Sequence, residues 1–507
     1  MMYTHTRNML FIYLSISLLL SHLPVCNTLS TSEQNVAEQY ETFPYPFVHG
    51  VGTFTYADVN EPETYFGLSL FELNHFLWGG RRNFQHTGLN VLIAGGGTSK
   101  MSTVLAQTLE ENNVPGIIVH LDLSNASISL AREKAIAFGV SHRIQFIQGS
   151  LLNVNQDLTV MQHAPEGFDL VVSTGVIHHL ESPALGLETL GKALAKGGGL
   201  FIMVYGKYGR NGIYPLQEAF RKLMPLHNSN LHNRLNITKQ LVQLLPATHP
   251  FIVGNPNTYF SEVELYDLLL HSQDTPFTVP SVLEMAKQAN VKIVDFVYNA
   301  QYNPTNFLNP TIHLYEMENI MKNLFENMTR FEKYEIGEKL SHSISNHYFY
   351  AVREEEDINH AGLHLDSISL KAASLCRPKG SLLLESINIE HRETLQKRLA
   401  KEGMTGWTEL LRIYDNDDGK RVYHYHLPPL SGEIAAATLS SEDVNRKRCT
   451  KISEIFSAVN KKIYGFDIDW NVFEIQLREL ILIGESLMHL LVAHESSFVA
   501  QEERNRS

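Results

Sequence analysis

Between residues 86 and 215 the apolar positions follow two alternating rhythms. Asn90 to Ala94 (NVLIA) is a short β-rich apolar run; after Gly95, Gly96 and Gly97 a helical spacing begins, with Met101, Val104, Leu105 and Leu109 on one face. This predicts strand, tight turn, helix. Pro115-Gly116 closes the unit, Ile117 to Leu121 predicts a second strand ending at Asp122, and a second helix carries Ile128, Ala131, Ala135 and Ile136. Ile144 to Ile147, Phe168 to Val172 and Leu200 to Tyr205 predict three more strands, the last after Gly197-Gly198-Gly199, with a helix over Pro183 to Lys196. Strands alternating with helices predict an α/β fold with a mainly parallel, doubly wound sheet. Ligands bind such sheets beyond the carboxyl ends of the strands, where the glycine turn and Asp122 both fall.

The flanking segments are patterned differently. Arg7 precedes the apolar run Met9 to Leu20, and no acid occurs before Glu33. That resembles a secretory leader but lacks a small-x-small cleavage pair, and the run is too short for a spanning helix of about 20 residues. Residues 1–30 are therefore either a leader or the product of a start placed upstream, and the compartment, cytoplasmic or endomembrane/secretory, follows that choice. An N-x-S sequon at Asn125, beside the ligand edge, leans against glycosylation. Leu70, Leu73, Phe76 and Leu77, ahead of Trp78-Gly79-Gly80-Arg81-Arg82, predict a helix docked on the core. Beyond the sheet, Leu216 to Leu223, Ile237 to Leu245, Val263 to Leu270 and Val279 to Ala289 read as helices and Ile293 to Val297 as a strand. After the polar run Arg353 to Asp357, short strands (Ser381 to Ile387, Arg421 to His426) mix with long helical patterns (Lys447 to Ile463, Trp470 to His494). The expected organisation is a leader (1–30), an N-terminal cap (31–85), the sheet domain (86–215), helical accessory segments enclosing a substrate (216–357) and a C-terminal α+β domain (358–507).

Composition narrows the function classes. At 507 residues the chain is long enough for about three domains. With 44% hydrophobic and 19% charged residues it is ordinary folded protein. A net charge of -13 disfavours nonspecific nucleic-acid binding. The three cysteines, Cys26, Cys376 and Cys449, are too scattered for a disulfide framework or a cysteine zinc site.

The ligand edge carries the chemistry. A glycine turn between strand and helix presents backbone amides to a carboxylate or phosphate, and an acid ending the second strand suits two ribose hydroxyls. Gly95-x-Gly97-x-Ser99 follows a G-x-G-x-G rhythm, whereas the dinucleotide fingerprint needs Gly or Ala where Lys100 stands, so a nicotinamide-dependent oxidoreductase is the weaker reading. His178 and His179 follow the fourth strand, and His178 is the candidate general base. Tyr45, between two prolines, suits an ordered lid; Tyr208 and Arg210 follow the fifth strand and suit an anionic or aromatic acceptor. His271, Gln273 and Asp274 form a polar cluster, but the spacing offers no third ligand and no metal is assigned.

VLIAGGGTSK, IIVHLDLSNASISLAREKA, IQFIQGSLL, FDLVVSTGVIHHLESP and LAKGGGLFIMVYG, in that order, resemble the successive motifs of class I S-adenosylmethionine-dependent methyltransferases. QYETFPYPF (39–47) and DLLLHSQDTPFTVP (267–280) resemble an uncharacterised bacterial-type group within them. The resemblance implies a Rossmann-like methyltransferase sheet, S-adenosylmethionine as cofactor, Gly95, Gly97 and Thr98 around its methionine part, and Asp122 on its ribose. It also places His271 with the pocket. Two positions depart from the pattern: Ser99 replaces a glycine, and the acid that often meets the adenine amine is Ser150, followed by Leu151. These departures leave open a catalytically silent relative that only binds a partner. No NPPY-type segment follows the fourth strand and no Pro-Cys pair occurs, so the expected acceptor is a small molecule or a protein side chain rather than DNA.

Overall fold

The computed structural model describes residues 29–45, 68–79, 81–225, 230–254, 261–297 and 327–355, with a few positions between 302 and 325, and then 373–376, 408–416, 419–427, 449–463, 470 and 491–494. Seven strands form one sheet: β1 (Val91–Ala94), β2 (Ile118–Asp122), β3 (Ile144–Gln148), β4 (Phe168–Thr174), β5 (Leu194–Tyr205), β6 (Val291–Phe296) and β7 (Asn346–Arg353), in the order β3-β2-β1-β4-β5-β7-β6. Neighbours from β3 through β5 are parallel, while β7 runs antiparallel to both β5 and β6. The chain leaves β1 towards β3 and returns on the other side as β4, so a crevice opens between β1 and β4 at their carboxyl ends.

Every residue of β1 and β2 is buried, the signature of a sheet covered on both faces. The helices are α1 (Thr31–Thr42), α2 (Leu70–Trp78), α3 (Met101–Glu111), α4 (Asn125–Ala137), α5 (Pro183–Lys192), α6 (Tyr214–Leu223), α7 (Leu231–Gln243), α8 (Glu262–Leu270), α9 (Val279–Gln288) and α10 (Arg330–Ser341). One core packs Leu92 and Val171 against Leu187 of α5 and Val282 of α9; the other packs Val91 and Ile93 against Leu105 of α3 and Leu73 and Leu77 of α2. The stretch from Leu70 is thus a docked core helix, as its spacing predicts. A third cluster joins Phe43 to α6, α7 and α8.

The structure changes four readings. The helix expected to reach Lys196 stops at Lys192, and β5 begins at Leu194 and carries Gly197–Gly199 inside it, with a register shift against β4 between Phe168 and Leu170. The glycines are used for close approach: a Cβ on Gly198 would lie 2.8 Å from the Phe168 carbonyl oxygen. The stretch expected to be accessory supplies β6 and β7, which complete the sheet. In the C-terminal part, Arg421 to His426 lies in Gly419–Leu427, paired with Thr408–Asn416. The helical pattern from Lys447 divides into a strand, Cys449–Lys451, and a helix, Ile452–Ile463, because the strand pairs with Ala373–Cys376. Leu491–His494 is a strand on the same partner rather than the end of a helix. Residues 1–28, Ser381 to Ile387 and most of Trp470 to His494 lie outside the described residues. Among those described, no helix is long and apolar enough to cross a membrane.

Candidate active site

Beyond Ala94 the chain turns through Gly95 at φ 76° and Gly97 at φ 56°, a left-handed region that favours glycine. Contacts reinforce the requirement: a Cβ on Gly95 would lie 2.5 Å from Val176 Cγ2, and one on Gly96 2.2 Å from the His120 ring. The Gly97 N–H donates to Asp122 Oδ2 at 2.7 Å, and the Ser124 N–H to Oδ1 at 2.8 Å. Two backbone donors therefore fix the carboxylate at the tip of β2. Burial raises its pKa above the ordinary carboxylate value, opposed by those N–H groups of Ser124 and Gly97. Behind the turn, burial pushes His120 down to about 4. It therefore stays neutral at pH 7, hydrogen-bonded to Ser102 Oγ at 2.6 Å.

A pocket of about 1480 Å³ opens on this edge. It runs from Gly95–Gly97, Asp122 and Ser150–Leu152, at the tips of β1 to β3, to His179, Tyr205 and Arg210, which follow or end β4 and β5. The donor and acceptor set fits an adenosyl sulfonium: a held carboxylate for a ribose diol, a strand-tip glycine turn for the amino-acid end, and apolar Leu151 for a base. Thr98 is fully buried and is not among the pocket residues. Its N–H donates to the Tyr45 carbonyl at 3.0 Å, and its own carbonyl accepts from Lys134 Nζ. Tyr45 is thereby tied to the glycine turn and also lines the pocket.

Helix α1 closes the pocket. It begins with a reciprocal cap between Ser30 and Glu33, and Glu33, Val36 and Tyr40 all face the cavity. The Ser150 hydroxyl donates to Glu33 Oε1, while Oε2 accepts from the Ser30 N–H and hydroxyl, each at 3.0 Å. A carboxylate therefore stands at the position where the motif itself has only serine. At the other end of α1, Glu41 accepts from the N–H groups of Asn125 and Ala126 that open α4. There it meets the positive end of the helix dipole. The Ser124 hydroxyl also donates to the Tyr40 carbonyl at 3.2 Å.

Of the two adjacent histidines, the cavity receives His179. His178 is fully buried, packed against His179 at 4.0 Å and Tyr205 at 3.9 Å between ring centroids, and burial holds its pKa far below the usual imidazole value. Neither of its ring nitrogens has a hydrogen-bond partner among the described residues, and it is not among the pocket residues. His179 Nδ1 lies 2.8 Å from the Gln273 carbonyl oxygen, so that nitrogen carries a proton, and Nε2 has no partner among the described residues. His271 lies behind His179, its ring stacked 3.6 Å away and tilted 17°. The Gln273 N–H donates to His271 Nδ1, so Nε2–H points to the Tyr40 hydroxyl at 3.1 Å, which in turn donates to Asp267 Oδ1 at 2.9 Å. Tyr208 packs against His342, 4.9 Å between centroids, and is not a pocket residue.

The fold supplies the third ligands that sequence spacing lacked: His178, His179 and Asp274, and His179, Asp267 and His271, each gather donor atoms within 4.8 Å. Their arrangement works against a cation. Stacked imidazoles send their lone pairs along parallel rather than converging directions, both nitrogens of His271 are engaged, and the Arg210 guanidinium adds positive charge felt by His178 and Asp267. Sequence reasoning missed Glu33, Tyr40, Tyr205 and Asp267, and of the histidine pair it chose His178 rather than His179. The Ser30-x-x-Glu33 pattern signals the start of α1 but not what that helix covers.

Residues 85–243 match a family model described as a methyltransferase domain. An uncharacterized protein of Synechococcus sp. is 26% identical over 267 residues, covering 52% of this chain and 60% of that protein. The tRNA 5-carboxymethoxyuridine methyltransferase of Escherichia coli (strain K12) is 32% identical over 121 residues, covering 24% of this chain and 42% of that one. The matched region thus spans less than two thirds of either relative. Among solved structures, PKMT2 from Rickettsia typhi aligns with a TM-score of 0.49 at 15% identity, over 83% of this chain and 74% of that chain.

Proposed function

We propose that this chain, whose residues 85–243 match a methyltransferase domain, is a class I S-adenosylmethionine-dependent methyltransferase that transfers the methyl group of S-adenosylmethionine to a small-molecule or protein acceptor by in-line displacement. The observation that carries the reading is the convergence of Gly95–Gly97, Asp122 and Ser150–Leu152 on the pocket that also holds His179, Tyr205 and Arg210. Asp122 takes the ribose hydroxyls and the glycine turn takes the methionine end. Leu151 packs on the base, and Glu33, brought in by α1, supplies the negative acceptor for the adenine amine that Ser150 cannot. S-adenosylmethionine, when bound, supplies an electrophilic methyl, so the protein's work is alignment and exclusion of water. Helix α1 and the tethered Tyr45 provide the exclusion. For an oxygen or nitrogen acceptor, His179 Nε2 takes the proton while the Gln273 carbonyl holds Nδ1–H, which moves the base role from His178 to its neighbour.

The test is calorimetric titration of the full chain with S-adenosylmethionine, S-adenosylhomocysteine and NAD. Micromolar binding of the two adenosyl ligands without NAD binding supports the reading, and NAD binding without them overturns it. Transfer of labelled methyl to an acceptor then separates an enzyme from a fold that only binds.

A further inference from the structure

Arg210 is 9% exposed and forms part of the pocket wall, yet its Nε and Nη2 atoms are buried and meet no hydrogen-bond acceptor among the described residues. A guanidinium taken out of water without a carboxylate costs several kcal/mol unless something else compensates it. The buried acids nearby hydrogen-bond to other groups, although Asp267 feels the Arg210 charge and Asp274 Oδ1 has no partner among the described residues. Asp267 accepts from Tyr40, and Asp274 Oδ2 accepts from Gln217 Nε2 at 2.9 Å. What holds the group is the face of Tyr205, whose ring centroid lies 3.6 Å from Arg210 Cζ.

That contact holds the guanidinium at the cavity wall with Nε–H and Nη2–H buried and without an acceptor among the described residues. Nε–H and Nη2–H are the two parallel donors that match the two oxygens of a carboxylate. Phe201, Met203 and Tyr348, which line the same cavity, add apolar wall. We infer that the acceptor is a small carboxylic acid with an apolar or aromatic body, anchored through its carboxylate on the Nε–Nη2 edge of Arg210. This rests on the methyltransferase reading of the pocket and adds the substrate class. Arg210 is almost wholly buried, which suits a free small molecule rather than an acidic side chain of a folded protein.

The experiment uses the full chain in two stages. Titration with S-adenosylhomocysteine comes first, and with that ligand saturating, benzoate and phenylacetate are compared with benzamide and phenylacetamide. The expected result is binding of the acids at least tenfold tighter than of their amides. Arg210→Gln should abolish that preference while S-adenosylhomocysteine affinity stays within twofold, which also shows that the variant is folded. Arg210→Lys should not restore the preference, since one ammonium cannot offer two parallel donors. Equal binding of acids and amides, binding of neither, or an unchanged preference in Arg210→Gln would overturn the carboxylate anchor while leaving the methyltransferase reading intact. Failure of S-adenosylhomocysteine to bind the folded wild-type chain would overturn both.

Discussion

Glu33→Gln is the substitution that most directly tests how the pocket reads adenine. Glu33 is 8% exposed, and its carboxylate accepts from Ser150 on one oxygen and from Ser30 on the other. Glutamine keeps the length and one acceptor oxygen, so the cap on α1, whose complete loss would cost about 0.5–2 kcal/mol, is largely retained. What disappears is the negative acceptor. A hydrogen bond to a charged group contributes about 1.5–3 kcal/mol, so S-adenosylhomocysteine should bind roughly 10- to 100-fold more weakly. The specificity should change as well. The glutamine amide can turn to donate, so the 6-oxo analogue S-inosylhomocysteine, disfavoured by the wild type, should close most of the gap in the variant. Calorimetry of both ligands on both proteins gives the four constants. If Glu33→Gln weakens both ligands equally and leaves their ratio unchanged, Glu33 supports the helix but does not read the base, and the reasoning fails.

Asp122→Asn should lower cofactor affinity at least tenfold by removing the charged acceptor for the ribose. It should also lower the melting temperature of the cofactor-free chain at pH 7, because the new amide turns a donor towards one of the two N–H groups of Gly97 and Ser124. Burial raises the folded pKa of Asp122 above its unfolded value, so ionisation opposes folding at pH values above the folded pKa and that opposition fades as pH falls through it; differential scanning fluorimetry across pH checks the sign. His179→Gln should reduce the transfer rate to an oxygen or nitrogen acceptor about 100-fold or more with little change in S-adenosylhomocysteine affinity; an unchanged single-turnover rate would remove His179 as the base. Gly95→Ala places a methyl 2.5 Å from Val176 Cγ2 at φ 76° and should cost about 1–3 kcal/mol in backbone strain alone. Adding Val176→Ala should restore only the part due to the clash, as chemical denaturation would show.

The local half of the site was legible because its signals are local. The turn Gly95–Gly97 and the acid Asp122 are each announced by a strand that ends where they begin, and the alternation from Asn90 to Tyr205 yields β1 to β5 in order. What stayed hidden depends on contacts between distant positions. Glu33 meets Ser150 across 117 positions and Tyr40 meets Asp267 across 227, and no periodicity in either segment encodes the meeting. His178 and His179 are adjacent and chemically identical; only the short turn Ile177–His179 decides which faces the cavity. The His271 and Asp274 spacing lacked a third ligand because His179, which joins both clusters, follows β4, far earlier in the chain.

The closing of the sheet by a late strand has a consequence for synthesis. β5 finds its outer partner only when Asn346–Arg353 arrives, so its backbone donors and acceptors stay unpaired while about 140 further residues are made. At about 5–20 residues per second that interval is roughly 7–30 s. During it the strand carrying Tyr205 is an open edge of the kind that pairs with other chains. A ribosome stalled or a chain cut before Asn346 would release a nearly complete ligand edge on a sheet that invites aggregation. The vulnerable stretch of this protein's life is set by where β7 lies in the message rather than by the quality of its core.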